Sequence, residues 1–598
     1  MEEKNIFQLF KKLCDTHPDR VAYKFKKDGQ WHSLTWQEHF DACKRISKSL
    51  MALGVQKGDK VNILSQTRLE WVQCDFAAEN IGSVTVGIYP SNLADDCAYI
   101  INHSEAVLLM VENQEQLEKI LSVRQQLQKL KHIVIYDAPA SLPEGVLTWD
   151  EFLSRGDGVS DDEFAQRTEA VERDDLASIV YTSGTTGVPK GAMLTHGNFL
   201  FTSQSVLECL HIKEHYETLL FLPLAHVFAR IIVFTSMRAG FTLAFAESLE
   251  KVAENLREVR PHFFASVPRI YEKVYERITS QVADAGGVKQ KLFNWALEVG
   301  TRVSELKEKR QPVPAGLAMK YKLADRLVFH KIREALGGRV VFTISGAAPL
   351  NVTIARFFHA CGILILEGLG MTENTSFTNV NRFDHYKFGT VGPPGPGIEQ
   401  KIADDGEILF RGPNVMKGYY KNPEATQETI DKDGWLYTGD IGEIDEDNFL
   451  RVTDRKKDLI ITAGGKNIAP QRVERIIRTS RYISQVVAYG DQKKFLVALI
   501  TLDQPQVEAW ATKEGLEYSS WEQLTQHPKV RELIEQEVEE RNKQLASFET
   551  IKKFYILPED FSIDSGELTP TLKLKRKVIT ERYKDKIEAL YAEAEAAA

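Results

Sequence analysis

Leu176-Ala177-Ser178-Ile179-Val180-Tyr181, followed without a break by Thr182-Ser183-Gly184-Thr185-Thr186-Gly187-Val188-Pro189-Lys190-Gly191, is the stretch on which the fold turns. The first six residues read as an apolar strand, and the rest as a loop at its end. Glycines there let the backbone approach a ligand closely, hydroxyls can hydrogen-bond anionic oxygens, and Lys190 adds positive charge. A Walker A loop needs Gly just before its lysine and Ser or Thr just after. Pro189 and Gly191 hold those places, so a P-loop NTPase is excluded.

Working upstream, Thr35 and Glu38 form a capping box that opens a helix with apolar positions Phe40, Cys43, Ile46, Leu50 and Leu53, stopped by Gly54. A strand at Val61–Leu64, a helix around Arg68–Asn80 and a β-rich run at Val84–Ile88 follow, which predicts parallel α/β layers. The acidic stretch Arg155–Asp175 reads as a solvated connection. Downstream, the α/β pattern continues from Leu176 to about Val452. There the charged turn Asp454-Arg455-Lys456-Lys457-Asp458 suggests a boundary, giving a large domain at 1–455 and a smaller one at 456–598. The smaller piece has a helix opening near Pro470, strands at Gln485–Tyr489 and Phe495–Thr501, and a helix turning Val530, Leu533, Ile534 and Val538 inward. The expected fold is α/β, a large multi-sheet N-terminal domain with a smaller α+β C-terminal domain. Ala592–Ala598 reads as a frayed helix end.

The 598 residues carry 75 basic and 84 acidic side chains, a net charge of −9 that argues against nucleic acid as a partner. The six cysteines lie far apart with neither zinc-type spacing nor a C-x-x-C pair, so packing is their expected role in a reduced compartment. A polar N-terminus and the lack of a membrane-length apolar run point to the cytoplasm. Reversible peripheral contact with the cytosolic face of a membrane stays open, through a surface the sequence does not identify, and a homodimer is neither required nor excluded.

Ser-Gly-Thr-Thr-Gly-x-Pro-Lys-Gly behind an apolar strand resembles the signature of the adenylate-forming superfamily, which contains acyl-CoA synthetases, luciferases and peptide-synthetase adenylation domains. Five further segments match that family in order. Ser345-Gly346-Ala347-Ala348-Pro349 resembles the turn lying against adenine. Glu367-Gly368-Leu369-Gly370-Met371-Thr372-Glu373 lacks the third glycine of a dinucleotide fingerprint and is similar instead to the segment covering adenine and the α-phosphate. Tyr437-Thr438-Gly439-Asp440 resembles the ribose-binding turn, where a carboxylate accepts from both sugar hydroxyls. Asp454–Ile460 resembles the hinge, with Arg455 on the nucleotide and Lys457 at the pivot. Thr569-Pro570-Thr571-Leu572-Lys573 resembles the C-terminal lysine motif. Leu572 replaces its usual glycine, which leaves Lys575 as an alternative to Lys573.

The resemblance implies that Thr182, Ser183, Gly184, Thr185, Thr186, Gly187 and Lys190 contact ATP. They would be joined by Gly346, Ala347, Ala348, Glu367, Gly368, Leu369, Gly370, Thr372, Asp440 and Arg455. Glu373 and Thr185 would hold Mg²⁺, a hard cation that takes oxygen ligands and arrives with the phosphates. Gly464 and Gly465 would leave room for the pantetheine arm of CoA. It also implies a mobile C-terminal lid that brings Lys573 in for adenylation and withdraws it for transfer to CoA.

Leu222-Pro223-Leu224-Ala225-His226-Val227-Phe228-Ala229-Arg230 and Asp384–Gly397 are similar to segments of the long-chain fatty acid:CoA ligases, with His226 by the acyl carboxylate. The apolar stretches Ile231–Phe245 and Phe263–Ile270 could line an acyl tunnel or serve as ordinary core. A fatty acyl-AMP ligase without CoA transfer, and a medium-chain or aryl acid:CoA ligase, are the alternatives.

Overall fold

The computed structural model describes residues 3–182, 188–463, 466–569 and 573–596. Strand Leu176–Thr182 pairs antiparallel with Lys190–Thr195 and parallel with Val84–Ile88. The same sheet runs on in parallel through Lys60–Leu64, Ala106–Val111, His132–Ile135 and Val146–Thr148. A second sheet has Val21–Lys27, Thr242–Phe245, Glu217–Leu220, Phe263–Ser266, Phe342–Ser345 and Leu364–Leu369 in parallel. Its antiparallel edges are Gln30–Thr35 and Asn379–Val380.

Helix Leu69–Asn80 is buried at every position except Glu70, so it has no solvent face. A helix buried all round must lie inside a larger body, and one hydrophobic core joins it to side chains of both sheets. Helix Val227–Ala239 crosses the same core, and its Arg230 is matched to Asp75 and Glu79 of the first helix.

A four-stranded antiparallel sheet, Glu399–Ile402, Glu407–Arg411, Leu436–Ile444 and Leu450–Arg455, follows the two large ones. Beyond it come helix Pro470–Ile477 and a three-stranded sheet of Ile483–Tyr489, Leu496–Leu502 and Ile551–Ile556, with Pro528–Asn542 packed against it. These C-terminal elements bury two apolar clusters of their own.

The capping box at Thr35 and Glu38 opens helix Trp36–Ala52 as expected. Arg155–Asp175 is a correction: it contains helix Asp161–Glu169, opened by a second capping box, Ser160 with Glu163. Only Phe164 and Thr168 turn inward, and so few inward residues among many charges hid the helical period. All six cysteines are buried and free. No helix among the described residues is long and apolar enough to cross a membrane.

Candidate functional site

The glycine-rich loop is pinned at both ends. Thr182 pairs with Lys190 across the hairpin, and the Tyr99 hydroxyl donates to the Pro189 carbonyl at 3.0 Å. Ser183, Gly184, Thr185, Thr186 and Gly187 lie outside the described residues, as do Gly464 and Gly465.

Two further turns close on the same side of the second sheet. Gly346 follows strand Phe342–Ser345, and a Cβ added there would stand 3.2 Å from the Phe228 ring. Ala347 takes a left-handed φ of 69°, while Ala348 faces solvent. Glu367 turns back toward this region: its Oε2 accepts from the Leu350 amide at 3.1 Å, and burial pushes its pKa up to about 7. Its carboxylate therefore steadies the adjoining turn.

Gly368 and Leu369 pair with Val380 and Asn379, and Gly370 begins the connection between those strands. A Cβ at Gly370 would lie 2.0 Å from the Ser376 carbonyl oxygen and 2.6 Å from the Phe377 nitrogen, both backbone atoms. Thr375 and Ser376 hold φ of 55° and 66°, a strained pair for non-glycine residues. Buried Asn414, which the sequence did not single out, fixes them. Its Nδ2 donates to the Phe377 carbonyl at 2.7 Å, and its own carbonyl accepts from the Thr375 hydroxyl at 2.7 Å. Overpacking a rigid turn costs about 1–3 kcal/mol, so Gly370→Ala is expected to weaken ATP binding about tenfold or more. Unchanged affinity in equilibrium titration of the folded variant would dissociate this turn from the nucleotide.

Thr372 and Glu373 open a 3₁₀ turn, and both are buried. Glu373 Oε1 accepts from the Tyr419 hydroxyl at 2.6 Å, and the Lys190 ammonium sits 5.0 Å from the centre of the Tyr419 ring. Tyr419 thus links the glycine-rich loop to Glu373. No motif flagged it, because its role depends on strand Gly418–Tyr419 pairing with Lys190–Thr195.

Asp440 and Arg455 face each other across paired strands, with Arg455 Nε 2.8 Å from Asp440 Oδ1. Burial raises the Asp440 pKa, and the Arg455 and Lys573 charges oppose that rise. Glu407, also missed, accepts from the Gly439 amide and from Lys456 Nζ, each at 2.7 Å. Lys456 is thereby tied to the strand that carries Asp440, and both it and its neighbour Lys457 are exposed.

Lys573 closes this group. Its amide donates to the Thr569 hydroxyl at 3.0 Å and its carbonyl accepts from the Thr569 amide at 2.8 Å, the neck of a tight hairpin. Arg576 anchors the hairpin base on Glu474, with bonds of 2.8 and 2.9 Å. Lys573 is exposed to solvent, and the charges of Arg455, Asp440 and Glu373 act on it. Desolvation lowers its pKa and Arg455 adds to that, while Asp440 and Glu373 counteract it. Lys575 instead donates its amide to the Glu567 carbonyl and caps helix Arg576–Arg582.

His226 caps helix Val227–Ala239, its Nδ1 accepting from the Phe228 amide at 3.2 Å. That bond leaves the proton on Nε2. Burial, with Lys573 nearby, lowers its pKa to about 4, so the ring is neutral at physiological pH. It stands at the rim of an apolar cavity. Gly346, Ala347, Gly368, Leu369 and Gly370 form the rest of the rim, and Ile231, Ile232, Phe241 and Phe263 line the wall. Val206 and Leu210 of helix His196–Leu210, with Ile212 just beyond it, also line the wall, and the sequence had not singled them out. Most of Ile231–Phe245 and Phe263–Ile270 is ordinary core.

Two large α/β layers followed by a small domain, with these loops gathered at their junction, is the architecture of the adenylate-forming enzymes. The chain belongs to the AMP-binding enzyme family, which matches residues 10–420, and the AMP-binding enzyme C-terminal domain matches 457–595. It is 38% identical over 580 residues to the long-chain-fatty-acid–CoA ligase FadD15 of Mycobacterium bovis, covering 96% of this chain and 95% of that one. It is 33% identical over 616 residues to the human long-chain-fatty-acid–CoA ligase ACSBG2, covering 98% and 92%. The fold resembles the A domain of carboxylic acid reductase from Segniliparus rugosus, in complex with AMP and a co-purified carboxylic acid. The TM-score is 0.76 at 20% identity, over 99% of this chain and 94% of that one. It also resembles o-succinylbenzoate CoA synthetase from Bacillus subtilis in complex with its acyl-adenylate, with a TM-score of 0.68 at 22% identity over 96% and 98%.

Proposed function

We infer that the protein activates a long-chain fatty acid with ATP, forming acyl-AMP and pyrophosphate, and transfers the acyl group to CoA with release of AMP. The observation that carries this reading is the apolar cavity whose rim carries His226 and the Gly346 and Gly370 turns, with the Lys573 charge near enough to act on His226. An alkyl chain fills the wall, and its carboxylate is left among the polar groups.

In the first step a carboxylate oxygen attacks the α-phosphorus, and the bond to the bridging oxygen breaks, so that pyrophosphate leaves with the electron pair. Neutral His226 can donate from Nε2 to the carboxylate without drawing it into an ion pair, and Lys573 stabilises charge gathering on the phosphate. Its place among Glu373, Asp440, Arg455 and His226 supports Lys573 over Lys575 in this role. Asp440 would accept the ribose hydroxyls, and Lys190 with the residues of its loop would take the outer phosphates. Glu373 fits a Mg²⁺ ligand, since among the described residues its Oε1 accepts from Tyr419 and no hydrogen bond to its Oε2 is seen. Bound there with Thr185 and the nucleotide, the ion would neutralise phosphate charge.

In the second step the CoA thiolate attacks the acyl carbon and the bond to AMP breaks. We assign the rearrangement between steps to residues 456–598, moving about Lys457, with Gly464 and Gly465 admitting the thiol. The separate apolar clusters of the C-terminal elements support a unit able to move as a body.

An acid panel with ATP, Mg²⁺ and CoA, following thioester and AMP, tests the assignment. Thioester and AMP are expected from long-chain acids. Acyl-AMP that persists despite CoA would favour the fatty acyl-AMP ligase, and formation of ADP would refute the chemistry. In the same panel, Ile232→Trp shortens the cavity and is expected to lower kcat/KM for the longest acids about tenfold relative to shorter ones. An unchanged profile would remove this cavity from acyl binding.

A further inference from the structure

Helix Ala315–Ala324 continues through a π turn, Asp325–Phe329, into helix His330–Ala335. One side packs inward, with the Tyr321 hydroxyl donating to the Ala360 carbonyl at 3.1 Å and Phe329 and Ile332 buried. The other side is apolar as well, and it is uncovered. Met319, Leu323 and Leu327 are 74%, 50% and 41% exposed. Spaced by four, they fall on an arc of roughly 80° at about 100° per residue.

Cations border that stripe on both sides, Lys320 on one flank and Lys322 and Arg326 on the other, all exposed. Of the two acids in this helix, Glu334 lies near its far end, beyond the stripe, and Asp325 is neutralised by Arg333 at 2.5 Å. Residues 307–331 carry seven Lys and Arg against two Asp and Glu, in a chain whose net charge is −9. Basic charge is thus concentrated where a row of large apolar side chains meets water.

A narrow apolar stripe framed by cations, on a helix lying along the protein surface, has the chemistry of an interfacial segment. Its apolar side chains enter the acyl boundary of a bilayer while the cations meet phosphate headgroups. A second copy of the chain fits poorly. A two-fold interface would set these positive flanks against each other, and three side chains fall far short of a stable dimer's area of about 800 Å² per partner.

We propose that the face carrying Met319, Leu323 and Leu327 between Lys320, Lys322 and Arg326 docks the protein on a lipid bilayer with anionic headgroups. This goes beyond the catalytic reading and does not depend on it, because vesicle binding is measured without substrate.

The test is flotation of the full chain with vesicles of phosphatidylcholine alone or mixed with phosphatidylglycerol, at low and high salt. Wild type is expected to float with the anionic vesicles at low salt and much less with the neutral ones. Met319→Ser, Leu323→Ser and Leu327→Ser combined should lower partitioning by about tenfold or more, and Lys320→Glu, Lys322→Glu and Arg326→Glu combined should abolish the preference for phosphatidylglycerol. These side chains lie outside the cavity and are solvent-facing, so both variants should keep wild-type melting behaviour and thioester formation. Wild type that fails to float with anionic vesicles, or a serine variant that floats equally well, overturns the proposal. A concentration-dependent dimer that dissociates in the serine variant, without flotation of wild type, overturns it in favour of self-association.

Discussion

Lys573→Ala is expected to slow acyl-adenylate formation by about 10²–10³-fold while changing thioester formation from supplied acyl-AMP by only a few-fold. The asymmetry follows from position. The charges of Asp440, Arg455 and Glu373, the groups assigned to the nucleotide, act on Lys573, and no comparable negative charge develops there once pyrophosphate has left. Lys573→Arg should retain part of the first half-reaction. Because desolvation and Arg455 lower the Lys573 pKa, the wild-type first step should lose its cation at a pH below that of an exposed lysine. That alkaline limb should be absent from the arginine variant. Single-turnover assays of the two half-reactions measure this, and equal losses in both would remove Lys573 from the adenylation step.

Arg230→Met is expected to cost roughly 3–5 kcal/mol of stability, although Arg230 lies outside the cavity. Its guanidinium is 1% exposed and donates to Asp75 Oδ2 at 3.0 Å, Asp75 Oδ1 at 2.7 Å and Glu79 Oε1 at 2.8 Å, joining the two buried helices. Burial raises the pKa of both carboxyls, and the Asp75 charge pushes Glu79 up further, so removing the cation leaves Asp75 with no counter-charge. Adding Asp75→Asn and Glu79→Gln should recover part of the loss, since no buried charge then lacks a partner. The midpoint of the first unfolding transition reads both effects. A shift within about 0.5 kcal/mol would show that solvent reaches the cluster.

The segments assigned to the nucleotide could be proposed from the sequence because each is short and contiguous. Gly370 sits in a turn that needs close backbone approach, and Lys190, Asp440 and Arg455 are fixed charges on strands, each carried by a recognisable local motif. Strand and helix positions from Lys60 to Ile88 were legible for the same local reason, since apolar runs and caps act within a few residues.

Groups that act through distant partners were not. Tyr419 matters because one strand pairing sets it between Lys190 and Glu373. Asn414 matters because a strained turn folds onto it, and Glu407 because Gly439 and Lys456 converge on it. Arg230 looked like the end of a substrate motif until a buried helix brought two carboxylates to it.

By itself, then, the sequence determined the α/β layering and the order of the family-like motifs, up to the C-terminal segment with Lys573, all of which depend on local residue chemistry. Tertiary structure alone decided which apolar residues wall the cavity rather than fill the core, and which distant charges act on His226 and Lys573. It alone decided which face of a surface helix is left uncovered. Burial and charge proximity belong to neighbours far apart in the chain, and no local pattern encodes them.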